Sequence, residues 1–345
     1  MANRSARRYL HVCTSGVKAV ALALGLALVF AFAGSTTAAA PAGDYNLSVL
    51  ETTPGFFDLP LYVVMHDGYA KANHLNLTLA QFQTGGGTTS QVFAGGTGDI
   101  MMGGMDLPVR LVQSKTLDVT ILADMLQRGV FVLVSKAGSP YHTLQSLKGQ
   151  IVGISGPGAF SEFALHVALK KVGMDPNDVQ IASLGGTPAQ YAAVISGKAT
   201  AVQLQSPILE NALAQHTVQP IYDFRTEQGL QAGLVFTGRT AAVKANPAPY
   251  IAFMRAYRQA LQKIRTDPVY AMKWATEEWG STTPAANLQI QLDSYLRNPG
   301  IWSLDGVFTV VMYNNTRELL LGSGLFTEAG FPTYKQLTQY APPLQ

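Results

Sequence analysis

Two glycine-rich turns in this chain carry the residue types best suited to holding a small ligand. In the first, Leu77, Leu79 and Phe82 precede Gln83-Thr84-Gly85-Gly86-Gly87-Thr88; in the second, Ile151, Val152 and Ile154 precede Ser155-Gly156-Pro157-Gly158. A strand that ends in such a turn and opens a helix brings backbone N–H groups to a point, and Gly permits positive φ and close approach. Neither turn is a nucleotide fingerprint. The first lacks the Lys of a Walker loop, and both lack the third Gly of a dinucleotide loop.

Around these turns the candidate ligand contacts in the first half are Phe56, Phe57, Gly86, Gly87, Thr88, Met105 and Asp106. In the second half they are Ser155, Gly158, Ala159, Phe160, Gln205 and Ser206, with Phe236 as a weaker candidate. No Arg or Lys stands in these turns, so an anionic ligand would be met by backbone N–H groups, helix ends and hydroxyls. Several candidates have a second reading: Phe56, Phe57 and Phe160 fit a packed core or a lobe interface, and Met105 fits sheet packing with Met101 and Met102. Asp106, followed by Leu107-Pro108, has the form of a helix N-cap.

Other chemistries find little support. The single cysteine, Cys13, precludes disulfides within the chain and a multi-Cys metal site, and His66, His74, His142, His166 and His216 show no metal-ligand spacing. His166 falls opposite the apolar stripe of its helix and is expected to face solvent. Gly153-Ile154-Ser155-Gly156-Pro157 lacks the last Gly of a nucleophile elbow, which leaves a hydrolase as a weak alternative.

The N-terminus reads as an export signal. Arg4, Arg7, Arg8 and Lys18 precede an apolar run from Ala19 to Ala33 that is too short to span a bilayer, followed by small residues to Ala40. Cleavage is expected after Ala33 or Ala39, which assigns residues 1–39 to a signal peptide. The residues after Arg7-Arg8 match a twin-arginine signal poorly. Cys13 would leave with the signal, and no cysteine follows the apolar run to carry a lipid anchor. Losing four basic residues takes the formal charge from +3 to −1, so the basicity belongs to the signal and does not recommend nucleic acid as a partner.

Roughly three hundred mature residues suggest two lobes. Strand-like and helix-like stretches alternate along the chain, which points to an α/β fold of mainly parallel sheets with helices on both faces. Strands are expected at Tyr45 to Glu51, Leu75 to Phe82, Asp99 to Gly104, Val119 to Ala123, Val130 to Val134, Ile151 to Ile154 and Ala201 to Leu204. Leu234 to Thr237 reads as a return strand, and Leu59 to Ala72 as one helix. The expected division is 44–130 for lobe 1, 131–237 for lobe 2, and 238–345 for the return to lobe 1 and the C-terminal helices.

A family resemblance rests on these residues taken in order. Leu61 to Lys71, Gly85 to Gly87, Gly98-Asp99-Ile100, Ser146 to Gly149 with Val152-Gly153, Gly156-Pro157-Gly158, and Gly173 to Val179 resemble the periplasmic solute-binding proteins of the nitrate/sulfonate/taurine type, a group that includes thiamine-pyrimidine precursor binders. Thr200 departs from the family's Gly-x-x-Asp-Ala. The resemblance implies a two-lobed periplasmic-binding-protein-like fold (type II) that captures a small organic anion and delivers it to an ABC permease in the inner membrane, as a periplasmic monomer without cofactor. It also gives Asp106 a second role, as partner of an amine on a zwitterion such as an amino-sulfonate. A neutral heteroaromatic vitamin precursor is the alternative ligand. The pyrimidine-synthesising enzymes of the superfamily rely on a cysteine-rich segment that this chain lacks, so no catalysis is expected. A binding lobe of a sensor receptor is a third class.

Overall fold

A computed structural model describes residues 44–52, 54–82 and 86–343. The segment expected to be an export signal, residues 1–39, and Gln83-Thr84-Gly85 of the first turn lie outside the described residues.

Two five-stranded sheets organise the chain. The first collects β1 (Tyr45–Glu51), β2 (Leu75–Gln81), β3 (Ile100–Gly103), β4 (Val119–Leu126) and, from far along the chain, β10 (Leu234–Arg239), in the order β2-β1-β3-β10-β4. The second collects β5 (Val132–Lys136), β6 (Ile151–Ile154), β7 (Gln180–Ser183), β8 (Ala201–Leu204) and β9 (Val218–Asp223), in the order β7-β6-β8-β5-β9. β1 runs parallel to β2 and β3, and β6 parallel to β7 and β8, while β10 and β5 run antiparallel to both their neighbours. Four strands of each sheet therefore point one way and one points back.

The reversed strands are the crossing points. The chain leaves the first sheet after β4, enters the second as β5, and returns through residues 224–233 into β10. It is back in the first sheet by Leu234, ahead of the boundary at 238 expected from sequence.

Helices cover both sheets. In the first lobe they are α1 (Leu59–His66), α2 (Tyr69–Ala72), α3 (Gly86–Ala94) and α4 (Asp106–Gln113); in the second, α5 (Phe160–Lys171), α6 (Thr187–Ser196), α7 (Ile208–Ala214) and α8 (Phe224–Glu227). The single helix expected over 59–72 is two, because Gly68 adopts φ +80° and turns the chain between them. After β10 come α9 (Thr240–Ala245), α10 (Ala248–Thr266), α11 (Pro268–Trp279), α12 (Ala285–Leu296), α13 (Val310–Ser323) and α14 (Tyr334–Thr338). The apolar face of α10, with Phe253, Tyr257, Leu261 and Ile264 fully buried, packs on α1, α2 and strands of the first sheet. In contrast, α12 and α13 reach the second lobe, packing on α7 and α5. His166 of α5 bonds the Ser323 carbonyl of α13, so it is half-buried against a helix and not solvated.

Candidate functional site

The carboxyl ends of β1, β3, β6 and β8 converge on one cavity between the sheets, where open α/β sheets place ligands. Its volume is about 40 Å³, space for roughly three waters at ~10–15 Å³ each. From the first lobe come Thr52, Phe57, Gly86, Gly104, Asp106 and Leu107. From the second come Ser155, Ala159, Phe160, Ser161 and Gln205, and the crossing segments add Arg128, Gly129, Val130, Phe131 and Gly233, with Leu234 from the start of β10.

Glycines let the lobes meet. A Cβ on Gly104 would lie 2.9 Å from the Phe160 ring, and one on Gly87 would lie 2.8 Å from the Pro157 carbonyl oxygen. Direct bonds then join the lobes at the Gly55 turn: the Phe56 N–H donates to the Ser206 carbonyl at 3.2 Å, and Gln205 Nε2 donates to the Pro54 carbonyl at 3.1 Å. On the first-lobe side the turn is held by Asp58, whose Oδ2 accepts the Gly55 N–H at 2.7 Å, and by Trp302, whose indole N–H donates to the Phe57 carbonyl.

Asp106 is the most unusual group in the cavity. The cap position of α4 is Met105, so Asp106 is not the N-cap; the residue is 1% exposed and, its own backbone N–H apart, neither carboxylate oxygen has a donor among the described residues. Burial pushes its pKa up to about 7, against the pull of Arg110 one turn along and with a further push from Glu162. The other charged lining residue is Arg128, whose Nε has no partner and whose Nη1 makes one long bond, 3.4 Å, to the Arg225 carbonyl. Sequence reasoning missed Arg128 because it looked for contacts in the turns; the available signal was a cation beside Gly129 between two strands of different sheets.

The structure brings Phe57, Gly86, Asp106, Ser155, Ala159, Phe160 and Gln205 together around the cavity. The other candidates lie elsewhere. Phe56 is fully buried among Trp279, Tyr295 and Trp302, with ring centroids 5.0, 5.4 and 6.1 Å away; Met105 is fully buried, and Phe236 packs edge-on against Phe253 and Tyr257. Ser206 offers its carbonyl to Phe56, and its hydroxyl donates to Glu210 Oε1 at 2.8 Å. Gly87 faces Pro157, Thr88 is half-buried on α3, and Gly158 holds φ +72° in its turn.

The expected backbone cradle in the second lobe is satisfied from within. The Ser155 N–H donates to Ser161 Oγ at 3.0 Å, the Gly158 N–H to Glu162 Oε2 at 2.6 Å, and the Ala159 N–H to the Gly156 carbonyl. A bare anion there would compete with the Glu162 carboxylate. Positive charge comes from Arg128 instead.

The profile of the NMT1/THI5-like family matches residues 58–271. The chain belongs to that family. Among curated relatives it is 24% identical over 263 residues to the 4-amino-5-hydroxymethyl-2-methylpyrimidine phosphate synthases THI5 and THI12 of Saccharomyces cerevisiae, covering 72% of this chain and 74% of each relative. Among solved structures it is similar to the alkanesulfonate-binding protein SsuA of Xanthomonas axonopodis pv. citri bound to MOPS, with TM-score 0.69, 16% identity, and 84% and 97% of the two chains covered. It is also similar to the nitrate-binding protein NrtA of Synechocystis PCC 6803, with TM-score 0.56, 17% identity, and 71% and 69% covered. These neighbours share the periplasmic-binding-protein fold with this NMT1/THI5-like chain. Among its described residues no helix is long and apolar enough to cross a membrane, and no three His, Cys, Asp or Glu side chains converge on a metal site.

Proposed function

We propose that this protein captures a small dipolar organic solute in the periplasm and hands it to an ABC importer in the inner membrane. The observation that carries the reading is an interlobe cavity whose charged lining residues are one buried carboxylate, Asp106, and one arginine, Arg128. An acidic oxygen group, sulfonate or carboxylate, pairs with Arg128 in charge-assisted hydrogen bonds, and a nitrogen donor satisfies Asp106. Amino-sulfonates fit both poles. The family's solute-binding architecture, the export signal and the unsuitability of Ser155 as a nucleophile support binding without conversion.

A second reading is an aminopyrimidine. It is favoured by the ring wall of Phe57, Phe131 and Phe160 around Asp106 and by the names of the yeast relatives. A thermal-shift screen distinguishes the two. Taurine and β-alanine are expected to raise the melting temperature, at about 2.7 kcal/mol for solute at a hundred times its Kd, while methanesulfonate and ethylamine, with one pole each, give less. A shift from 4-amino-5-hydroxymethyl-2-methylpyrimidine alone establishes the second reading, and a converted product in mass spectrometry refutes binding without catalysis.

A further inference from the structure

Asp106 and Arg110 stand one turn apart on α4, the spacing at which opposite charges on a helix pair, yet they are not bonded to each other. Neither Asp106 carboxylate oxygen accepts from the guanidinium, and Arg110 Nε is buried without an acceptor among the described residues. The guanidinium lies elsewhere: its carbon is 4.3 Å from the centroid of the Phe326 ring, and Nε would be 4.0 Å from a Cβ on Gly158 of the second lobe. The ring it stacks on is fixed in place. Phe326 is 5% exposed, and Gln113 at the end of α4 fastens the segment after it, donating from Nε2 to the Thr327 carbonyl at 2.7 Å and to the Ala329 carbonyl at 2.8 Å.

Few other charges act on Asp106. Glu162 of α5 repels it from the second lobe while accepting the Gly158 N–H, and Arg128 lines the same cavity. α3, packed on α4, carries no ionisable side chain; on β4, also packed there, burial raises the Asp124 carboxyl well above its usual range; and Glu328, beyond Phe326, pairs with Arg317. We propose that Arg110 is a positioning residue of the solute site: stacked on Phe326, it favours the ionised form of Asp106 across space without taking up its oxygens, so the site selects a charged ammonium over a neutral nitrogen donor. This selectivity rests on Asp106 being the partner of the solute's nitrogen. A cation at a distance stabilises the carboxylate by Coulomb attraction, whereas the same cation bonded to it competes with the ammonium for its oxygens. Phe326 decides between the two, because cation–π attraction holds the guanidinium to the ring.

Two variants separate these effects. The titration of Asp106 is read in solute-free protein by carbon NMR of labelled aspartate carboxyls, with the signal assigned by its loss in Asp106→Asn. Arg110→Gln is expected to raise the Asp106 midpoint by about one pH unit, which cuts the ionised fraction at pH 7 and weakens taurine about fivefold, a deficit that closes as pH rises. The neutral 4-amino-5-hydroxymethyl-2-methylpyrimidine is expected to keep its affinity. Phe326→Leu frees Arg110 to bond Asp106, so the midpoint falls while taurine again weakens. Opposite midpoint shifts with the same loss of taurine are what a general loosening of the fold would not produce. An unmoved midpoint in Arg110→Gln, a rise in both variants, or equal losses of taurine and the aminopyrimidine overturns the proposal. Parent protein that binds neither compound refutes the solute reading instead, and the Asp106 midpoints still decide whether Arg110 holds the carboxylate ionised.

Discussion

Asp106 links stability to pH and, on the proposed function, to binding. A carboxyl whose folded-state pKa is raised from 3.8 to about 7 contributes stability below its unfolded value, and that contribution is lost as pH climbs through the folded value. At ~1.4 kcal/mol per pH unit the penalty above neutrality reaches up to about 4 kcal/mol in protein without solute. Asp106→Asn is therefore expected to raise the melting temperature most at pH 8 and by roughly a third as much at pH 5, with a nitrogen-bearing solute losing affinity. A parallel loss of stability at both pH values in chemical denaturation would contradict this. Arg128→Gln tests the other pole: affinity for taurine or β-alanine should fall at least tenfold, about 1.4 kcal/mol, with circular dichroism unchanged. Phe56, read first as a contact, belongs to core energetics, where Phe56→Ala should cost about 3–5 kcal/mol in a urea melt without altering which solutes bind.

Among the elements, the two glycine turns divide their work differently from the ligand cradle expected of them. Gly87 admits the Pro157 carbonyl across the cleft, so Gly87→Val should hold the lobes apart and weaken binding more than tenfold while each sheet stays folded. Gly158 has open space around it apart from Arg110 Nε at 4.0 Å, but its φ of +72° resists a β-branched residue; Gly158→Val should lower stability first and binding second. Calorimetric binding set beside thermal melts separates the two. Strands with strong apolar patterning were legible in the chain: Tyr45–Glu51, Ile151–Ile154 and Ala201–Leu204 stand where alternation and flanking turns put them. β7 and β9 were not. β7 reads Gln-Ile-Ala-Ser and is only half-covered, while β9 is an edge strand that includes Pro220, where a missing N–H costs no ladder bond. α12 hid because its buried side carries Asn287 and Gln291 as well as Leu288 and Leu292, which blurs the helical period. The cavity's turns were visible as glycines, whereas Arg128 depends on a crossing between sheets that no local pattern reports.

At the scale of the molecule, two segments, 127–131 and 224–233, connect the sheets, and α12 and α13 lie against second-lobe helices. The connections place Arg128, Phe131 and Gly233 in the cavity wall, so a movement of one lobe against the other reshapes the site itself. Small-angle scattering should show a smaller radius of gyration with bound solute than without it, and no such decrease in Gly87→Val. An equal decrease in the variant would rule out the Gly87 contact as a condition of closure.

The bonds across the Gly55 turn bear on time as well as affinity. With solute in the interlobe cavity, the Phe56 bond to Ser206 and the Gln205 bond to Pro54 hold the two lobes together beside it. Escape is then gated, and dwell time follows how often that seam opens. Chemically different solutes should share similar dissociation rates and differ chiefly in how productively they trigger closure, while Gln205→Ala, which removes one stitch of the seam, should shorten the dwell time of every solute by a common factor.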